Sequence, residues 1–411
     1  MPKNTNQHNI KVLMLGWELP PQFSGGLGVA CYGLAKELSH LPVDLAFVLP
    51  RRFDYPIEFM KIYHSELAEV DTWAINSVLK EYLTANRYHQ QFGRFNRLQM
   101  QTFGRDLYEE ALRYAQLTSK WAAKIPHELI HVHDWMTFPA GMQAKQVSGK
   151  PLVAHVHATE FDRAGDSPDH RIAEIEYQGL SQADQIIAVS HFTKRKIVDK
   201  YQIPADKIAV VHNGVLDIPD LDMDHTQILP HAPMVFYVGR LTMQKGVDYL
   251  IQAIPLVIEH VPEAVFVIAG YGDKYEELIM QASQLGIADH IIFTGWLSDR
   301  QKTYALYRRA DVFVSPSVSE PFGITTLEAL RNHTAVIISK QSGVSEVLNH
   351  VFKVDYWDVR KLANLIVALL KYPSLRQEIS KHGHRESLDI TWEKAARKTY
   401  QIYQQLLLKQ P

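Results

Sequence analysis

The run Met234-Val235-Phe236-Tyr237-Val238-Gly239-Arg240-Leu241-Thr242-Met243-Gln244-Lys245-Gly246 decides how the chain is read. Five apolar residues without alternation predict a strand buried on both faces, as in a parallel sheet covered by helices. The strand stops at Gly239, and two cations, Arg240 and Lys245, stand five positions apart just beyond it. The carboxyl end of a strand is where open α/β sheets bind ligands, and two cations at this spacing suit a clamp on a diphosphate.

Outward from that run, short apolar stretches alternate with longer ones of helical period. Upstream, strands are expected over 12–15, 45–49, 129–133, 152–157, 185–189 and 208–211; downstream they recur over 265–269, 291–294, 312–315 and 335–339. The reading is an α/β chain of two Rossmann-like doubly wound domains facing a cleft. The length of 411 residues agrees, because one core rarely grows that large. The first domain is expected over 1–215, with extra helices inserted around 57–124. A linker rich in Asp, Pro and His covers 216–233, and the second domain covers 234–390. Residues 391–411 form one amphipathic helix with no strand after it, so it must dock elsewhere.

Composition narrows the partners. With 43 Lys plus Arg against 45 Asp plus Glu, no global field gathers nucleic acid or an anionic membrane. Any phosphate is held locally. The single cysteine, Cys31, excludes an internal disulfide and every multi-cysteine zinc site, which fits a reducing cytoplasm. No stretch approaches the roughly 20 apolar residues of a membrane span.

Three further segments carry chemistry. Gly25-Gly26 opens a helix after the first strand, and its backbone N–H groups and positive dipole end suit an anion or a plain tight turn alike. Ser319-Glu320-Pro321-Phe322-Gly323-Ile324-Thr325-Thr326-Leu327-Glu328 sets one carboxylate in a strand-end loop and the second within the helix that follows. The loop acid can bond sugar hydroxyls, the helical one can reach a ribose, and the N–H groups from Gly323 to Thr325 point into the same space. In the first domain, His131-Val132-His133-Asp134-Trp135 and His155-Val156-His157-Ala158-Thr159-Glu160 both lie at strand ends. Two His-x-His pairs fix no coordination geometry by spacing, so no metal is expected.

Together these residues resemble the retaining family four of glycosyltransferases with the GT-B fold, from about residue 11 to 406. The likeness rests on the pairing of Gly239-Arg240-x4-Lys245-Gly246 with Glu320-x7-Glu328 at the family's separation. The His-Asp-Trp and His-x-Thr-Glu segments and Asn213-Gly214-Val215 are similar to the glycogen and starch synthase branch, although that branch usually has Lys where this chain has Phe23. The resemblance implies that Arg240 and Lys245 hold the diphosphate, Glu328 the ribose, and Glu320 with the backbone of Phe322, Gly323, Ile324 and Thr325 the donor sugar. It also implies that His157, Asp134 and Asn213 face the sugar from the first domain, while Gly25 and Gly26 approach the phosphates. The terminal helix would cross back onto the first domain. The implied activity moves a hexose, glucose foremost, from a nucleotide diphosphate sugar to a carbohydrate or other hydroxyl acceptor, with retention, no metal and no cofactor. A nucleotide-sugar epimerase or hydrolase and a non-catalytic nucleotide-sugar-binding module are the rival readings.

Overall fold

The computed structural model describes residues 8–20, 25–50, 56–64, 107–218 and 232–409. The first domain runs β1 (Ile10–Leu15), α1 (Gly26–Leu38), β2 (Val43–Leu49), β3 (Lys61–His64), α2 (Leu107–Ala122), β4 (Leu129–His133), α3 (Phe138–Ser148), β5 (Leu152–Val156), α4 (Glu160–Ala164), α5 (His170–Gln182), β6 (Gln185–Ala188), α6 (His191–Tyr201) and β7 (Ile208–Val210). The second runs β8 (Met234–Val238), α7 (Val247–Ile258), β9 (Val265–Ala269), α8 (Tyr275–Gln284), β10 (Ile291–Gly295), α9 (Arg300–Arg309), β11 (Val312–Ser315), α10 (Ile324–Arg331), β12 (Ala335–Ser339), β13 (Phe352–Val354), α11 (Val359–Lys371) and α12 (Pro373–Leu388). The helix α13 (Trp392–Leu408) follows.

The strands form two sheets, ordered β3-β2-β1-β4-β5-β6-β7 and β10-β9-β8-β11-β12-β13, with every pairing parallel. The central strands are mostly apolar and, Lys11 apart, buried on both faces. In each sheet the chain steps outward in one direction and then returns to the other side of its first strand. The order therefore reverses between β1 and β4, and again between β8 and β11, which opens a crevice at the carboxyl ends of those pairs. Gly239-Arg240 and the loop before Glu320 leave the second crevice; Gly16-Trp17-Glu18 and Asp134 leave the first.

Helix α13 belongs to the core of the first domain, where Trp392, Ala395, Ala396 and Tyr403 are buried among residues of β1, α1 and β4. The crossing depends on glycine. A Cβ on Gly214 would stand 2.1 Å from the backbone nitrogen of Trp392, and one on Gly33 would stand 2.5 Å from the Trp392 ring.

Two strands were not expected. Strand β3 is a half-exposed edge of four residues, and β13 has only three, so neither presents an unbroken apolar run. The inserted stretch is helical over α2 but begins with β3, and its residues 65–106 lie outside the described residues, as do 219–231 of the linker and Phe23. Strand β5 closes at Val156, one residue before His157. Among the described residues, no helix is long and apolar enough to cross a membrane.

Candidate active site

In the second domain the expected clamp and loop acid are already in contact. Lys245 Nζ lies 2.6 Å from Glu320 Oε2, and the Ser317 hydroxyl donates to the same oxygen at 3.2 Å. The fold makes this meeting obligatory. Gly246 adopts φ +61, and a Cβ there would stand 2.3 Å from the Pro316 carbonyl, so the β8 loop and the β11 loop touch through a position that only glycine fills. The Gln244 carbonyl accepts the amides of Val318 and Ser319, which stitches the two loops further. Arg240 Nη2 donates to Gln244 Oε1 at 3.4 Å, and its own carbonyl accepts from the Tyr237 hydroxyl.

Glu320 also pairs as a short strand with Ser342, through its N–H to the Gln341 carbonyl and its carbonyl to the Gly343 amide. The Phe322 ring is buried and its carbonyl is taken by Val344 and Ser342. At the start of α10, after the left-handed Gly323 (φ 112), the first amides are not used by the helical ladder. Glu328 is held differently from expectation. Arg300 Nη2 donates to its Oε1 at 2.8 Å and the Tyr307 hydroxyl to its Oε2 at 3.2 Å. Burial raises its pKa, while Arg300 and these hydrogen bonds work the other way. Each carboxylate oxygen keeps a further lone pair, so a ribose hydroxyl would join this set rather than displace it.

Across the cleft two of the expected groups already have partners within the chain. Asp134 Oδ1 accepts the amides of His157 at 2.7 Å and Ala158 at 3.3 Å, and the residue sits at φ 59 to do so. It positions the chain that carries His157. The glycine loop is likewise occupied, because Glu18 Oε1 accepts the amides of Gly25 and Gly28 at 3.0 Å each. A carboxylate on the first turn satisfies the helix dipole from within the chain and competes with any phosphate for it. Gly26 borders open space, with nothing within 4 Å of a Cβ placed on it. Asn213 is buried beside Gly214, at the point where α13 crosses back.

His157 is the end of a column that the sequence showed only as two separate motifs. Parallel pairing sets His133 opposite His155, so the side chains of His131, His133, His155 and His157 lie on one face of the sheet. The rings of His131 and His133 stack at 4.5 Å, and those of His155 and His157 at 4.3 Å. His131 Nε2 and His155 Nδ1 share a hydrogen bond at 3.2 Å, and His133 Nδ1 and His157 Nε2 another at 3.0 Å, while the Tyr403 hydroxyl of α13 bonds His131 Nδ1. Burial holds all four below the usual imidazole range, with His131 near 3. His157 is therefore neutral near pH 7, able to donate or accept a hydrogen bond.

Contacts between the domains were not foreseen. Lys196 Nζ lies 2.6 Å from Asp162 Oδ1 and 2.9 Å from Ser319 Oγ, and Ser319 donates to Asp162 at 2.6 Å. The Ser190 and Thr193 hydroxyls donate to the Pro321 carbonyl, and Glu346 accepts the amides of His191 and Phe192 at the start of α6. The first domain thus grips the Glu320 loop on both sides.

Two family models match. Residues 24–216 fit "Glycosyltransferase Family 4" and residues 221–386 fit "Glycosyl transferases group 1". An uncharacterized glycosyltransferase of Methanocaldococcus jannaschii, MJ1607, is 30% identical over 96% of this chain and 98% of its own. The glycogen synthase of Mycobacterium tuberculosis is 27% identical over 96% and 94%. Among solved structures, Anabaena Alr3699/HepE in complex with UDP and glucose superposes with a TM-score of 0.71 at 16% identity, over 97% of this chain and 100% of that one.

Proposed function

The chain belongs to family 4 of the glycosyltransferases, and from that premise we propose that it transfers a hexose, glucose foremost, from a nucleotide diphosphate sugar to a hydroxyl acceptor with retention at the anomeric carbon. The observation that carries the reading is the Lys245–Glu320 pair at the second sheet's reversal point, in a loop that the first domain grips. Glucose is supported by the glycogen synthase relative and by the neighbour solved with UDP and glucose.

In this reading Lys245 and Arg240 stabilise the charge that develops on the departing diphosphate, aided by the amides that open α10. The bond from the anomeric carbon to the diphosphate breaks, and the acceptor oxygen bonds to that carbon on the same face. Its proton passes to the leaving phosphate oxygen. Neutral His157 donates to the sugar and attacks nothing. The closed seam between the domains excludes water, which would otherwise accept the sugar.

The test is product analysis. Incubated with α-linked UDP-glucose or ADP-glucose and a panel of glucans, sugar phosphates and simple sugars, the protein is expected to release nucleoside diphosphate only with its acceptor and to give an α-glycoside by NMR. A β-linked product would refute retention, and an epimerised or hydrolysed sugar would refute transfer.

A further inference from the structure

The histidine column contains something its part in sugar transfer does not explain. Buried polar atoms are nearly always satisfied, so an unpartnered one calls for an account. In the column, His133 Nε2, His155 Nε2 and His157 Nδ1 have no hydrogen-bond partner, while the facing nitrogens His133 Nδ1 and His157 Nε2 share one. Cys31, buried on α1, faces the same cluster. One ligand atom each from Cys31, His133 and His157 lie within 4.8 Å of one another, and an overlapping trio of His131, His133 and His155 meets the same limit.

From this juxtaposition we infer that Cys31, His133 and His157 form a binding site for a borderline-soft divalent cation of the zinc type, and that its occupation inhibits the enzyme. A thiolate with two neutral imidazoles is the donor set such ions prefer, with a fourth position left for water. Zinc bonds of about 2.0–2.3 Å set neighbouring ligand atoms roughly 3.5 Å apart, so the trio has to draw in by about 1 Å, within reach of side-chain rotation. Of the two trios this one has the thiol, whose proton is released to solvent as the metal–sulfur bond forms. It also has His157, only partly buried at the cleft edge, which gives the ion a way in. A metal on His157 takes that ring from the donor sugar; this inhibitory consequence rests on the glycosyl-transfer reading, whereas the site itself does not.

The experiment uses the full-length, tag-free chain. Equilibrium dialysis against Zn2+ is expected to give one ion per chain, and Co2+ in its place should show thiolate charge-transfer and tetrahedral absorption bands. Cys31→Ala should abolish the charge-transfer band and, like His133→Gln, weaken Zn2+ about 10-fold or more while the melting temperature without metal stays close to that of the parent. Absence of stoichiometric uptake by the parent chain, or uptake by Cys31→Ala equal to the parent's, would overturn the site whatever the variants' stability. UDP-glucose affinity should fall as Zn2+ rises. Stoichiometric zinc with unchanged donor affinity would overturn the inhibition, and the placement of His157 at the sugar, while leaving the site standing.

Discussion

Lys245 and Glu320 meet at 2.6 Å with little exposure, so changing either alters charge at the donor and leaves its partner without its counter-ion. Lys245→Ala is expected to lower transfer by on the order of 10²–10³-fold, the range for losing one group that stabilises developing charge. The orphaned Glu320 keeps its Ser317 bond and some solvent, so the melting temperature should fall by only a few degrees. An unfolded variant in calorimetry would show that the pair is structural. Glu176 makes a separate prediction. Burial, ahead of its Arg163 and Tyr201 partners, raises this carboxyl to about 7. Because the folded state holds the proton more tightly than the unfolded one, the stability this group contributes is complete below its ordinary pKa. It is lost as pH rises through about 7. Four buried histidines with lowered pKa favour the fold increasingly as pH rises, so the prediction is the difference: between pH 5 and 8 the melting temperature of the parent should fall relative to that of Glu176→Gln, and parallel curves would refute the assignment. At this scale the meeting of Lys245 and Glu320 was legible, because glycine, charge and proline punctuate a strand end. The partners of Asp134 and Gly25, the amide of His157 and the carboxylate of Glu18, were not legible, since no local pattern reveals them.

Between elements, the close approaches depend on glycine. Gly214→Ala forces a methyl group against the backbone of Trp392, which cannot yield as a side-chain tip does. A loss at the upper end of the about 1–3 kcal/mol typical of overpacking is expected. Gly149→Ala, with φ 67 and open space, should cost only about 1 kcal/mol for the left-handed backbone. Denaturant titration of both variants checks the ordering, and equal losses would contradict the tight crossing of α13. Most strands were legible as unbroken apolar runs. Strand β3 was not, because an edge strand with half-exposed Lys61, Ile62, Tyr63 and His64 has no such run. The histidine column was out of reach for a different reason: its two halves are adjacent only through the β4–β5 register.

Over the whole molecule, the two sheets reverse their order at facing crevices and the first domain holds the Glu320 loop through Asp162, Lys196, Ser190 and Thr193. Lys196→Met leaves the Asp162 carboxylate buried without its cation and should cost about 3 kcal/mol or more. Ser319→Ala removes only the bridge to the second domain, so it should raise the KM for donor with little change in melting temperature; unaltered kinetics would show that this grip does not position the loop. The two-domain plan and the returning terminal helix were legible from repetition and from an amphipathic end without a strand. The seam was not, since its partners lie more than a hundred residues apart. Nucleotide-sugar binding by the Lys245 clamp is tested by thermal-shift titration without knowledge of the acceptor. UDP-glucose, ADP-glucose, GDP-mannose, UDP and ADP would be titrated into the parent chain and Lys245→Ala. One nucleotide sugar and its free diphosphate should stabilise the parent, and Lys245→Ala should lose the effect; no stabilisation of the parent by any of them would contradict nucleotide-sugar binding.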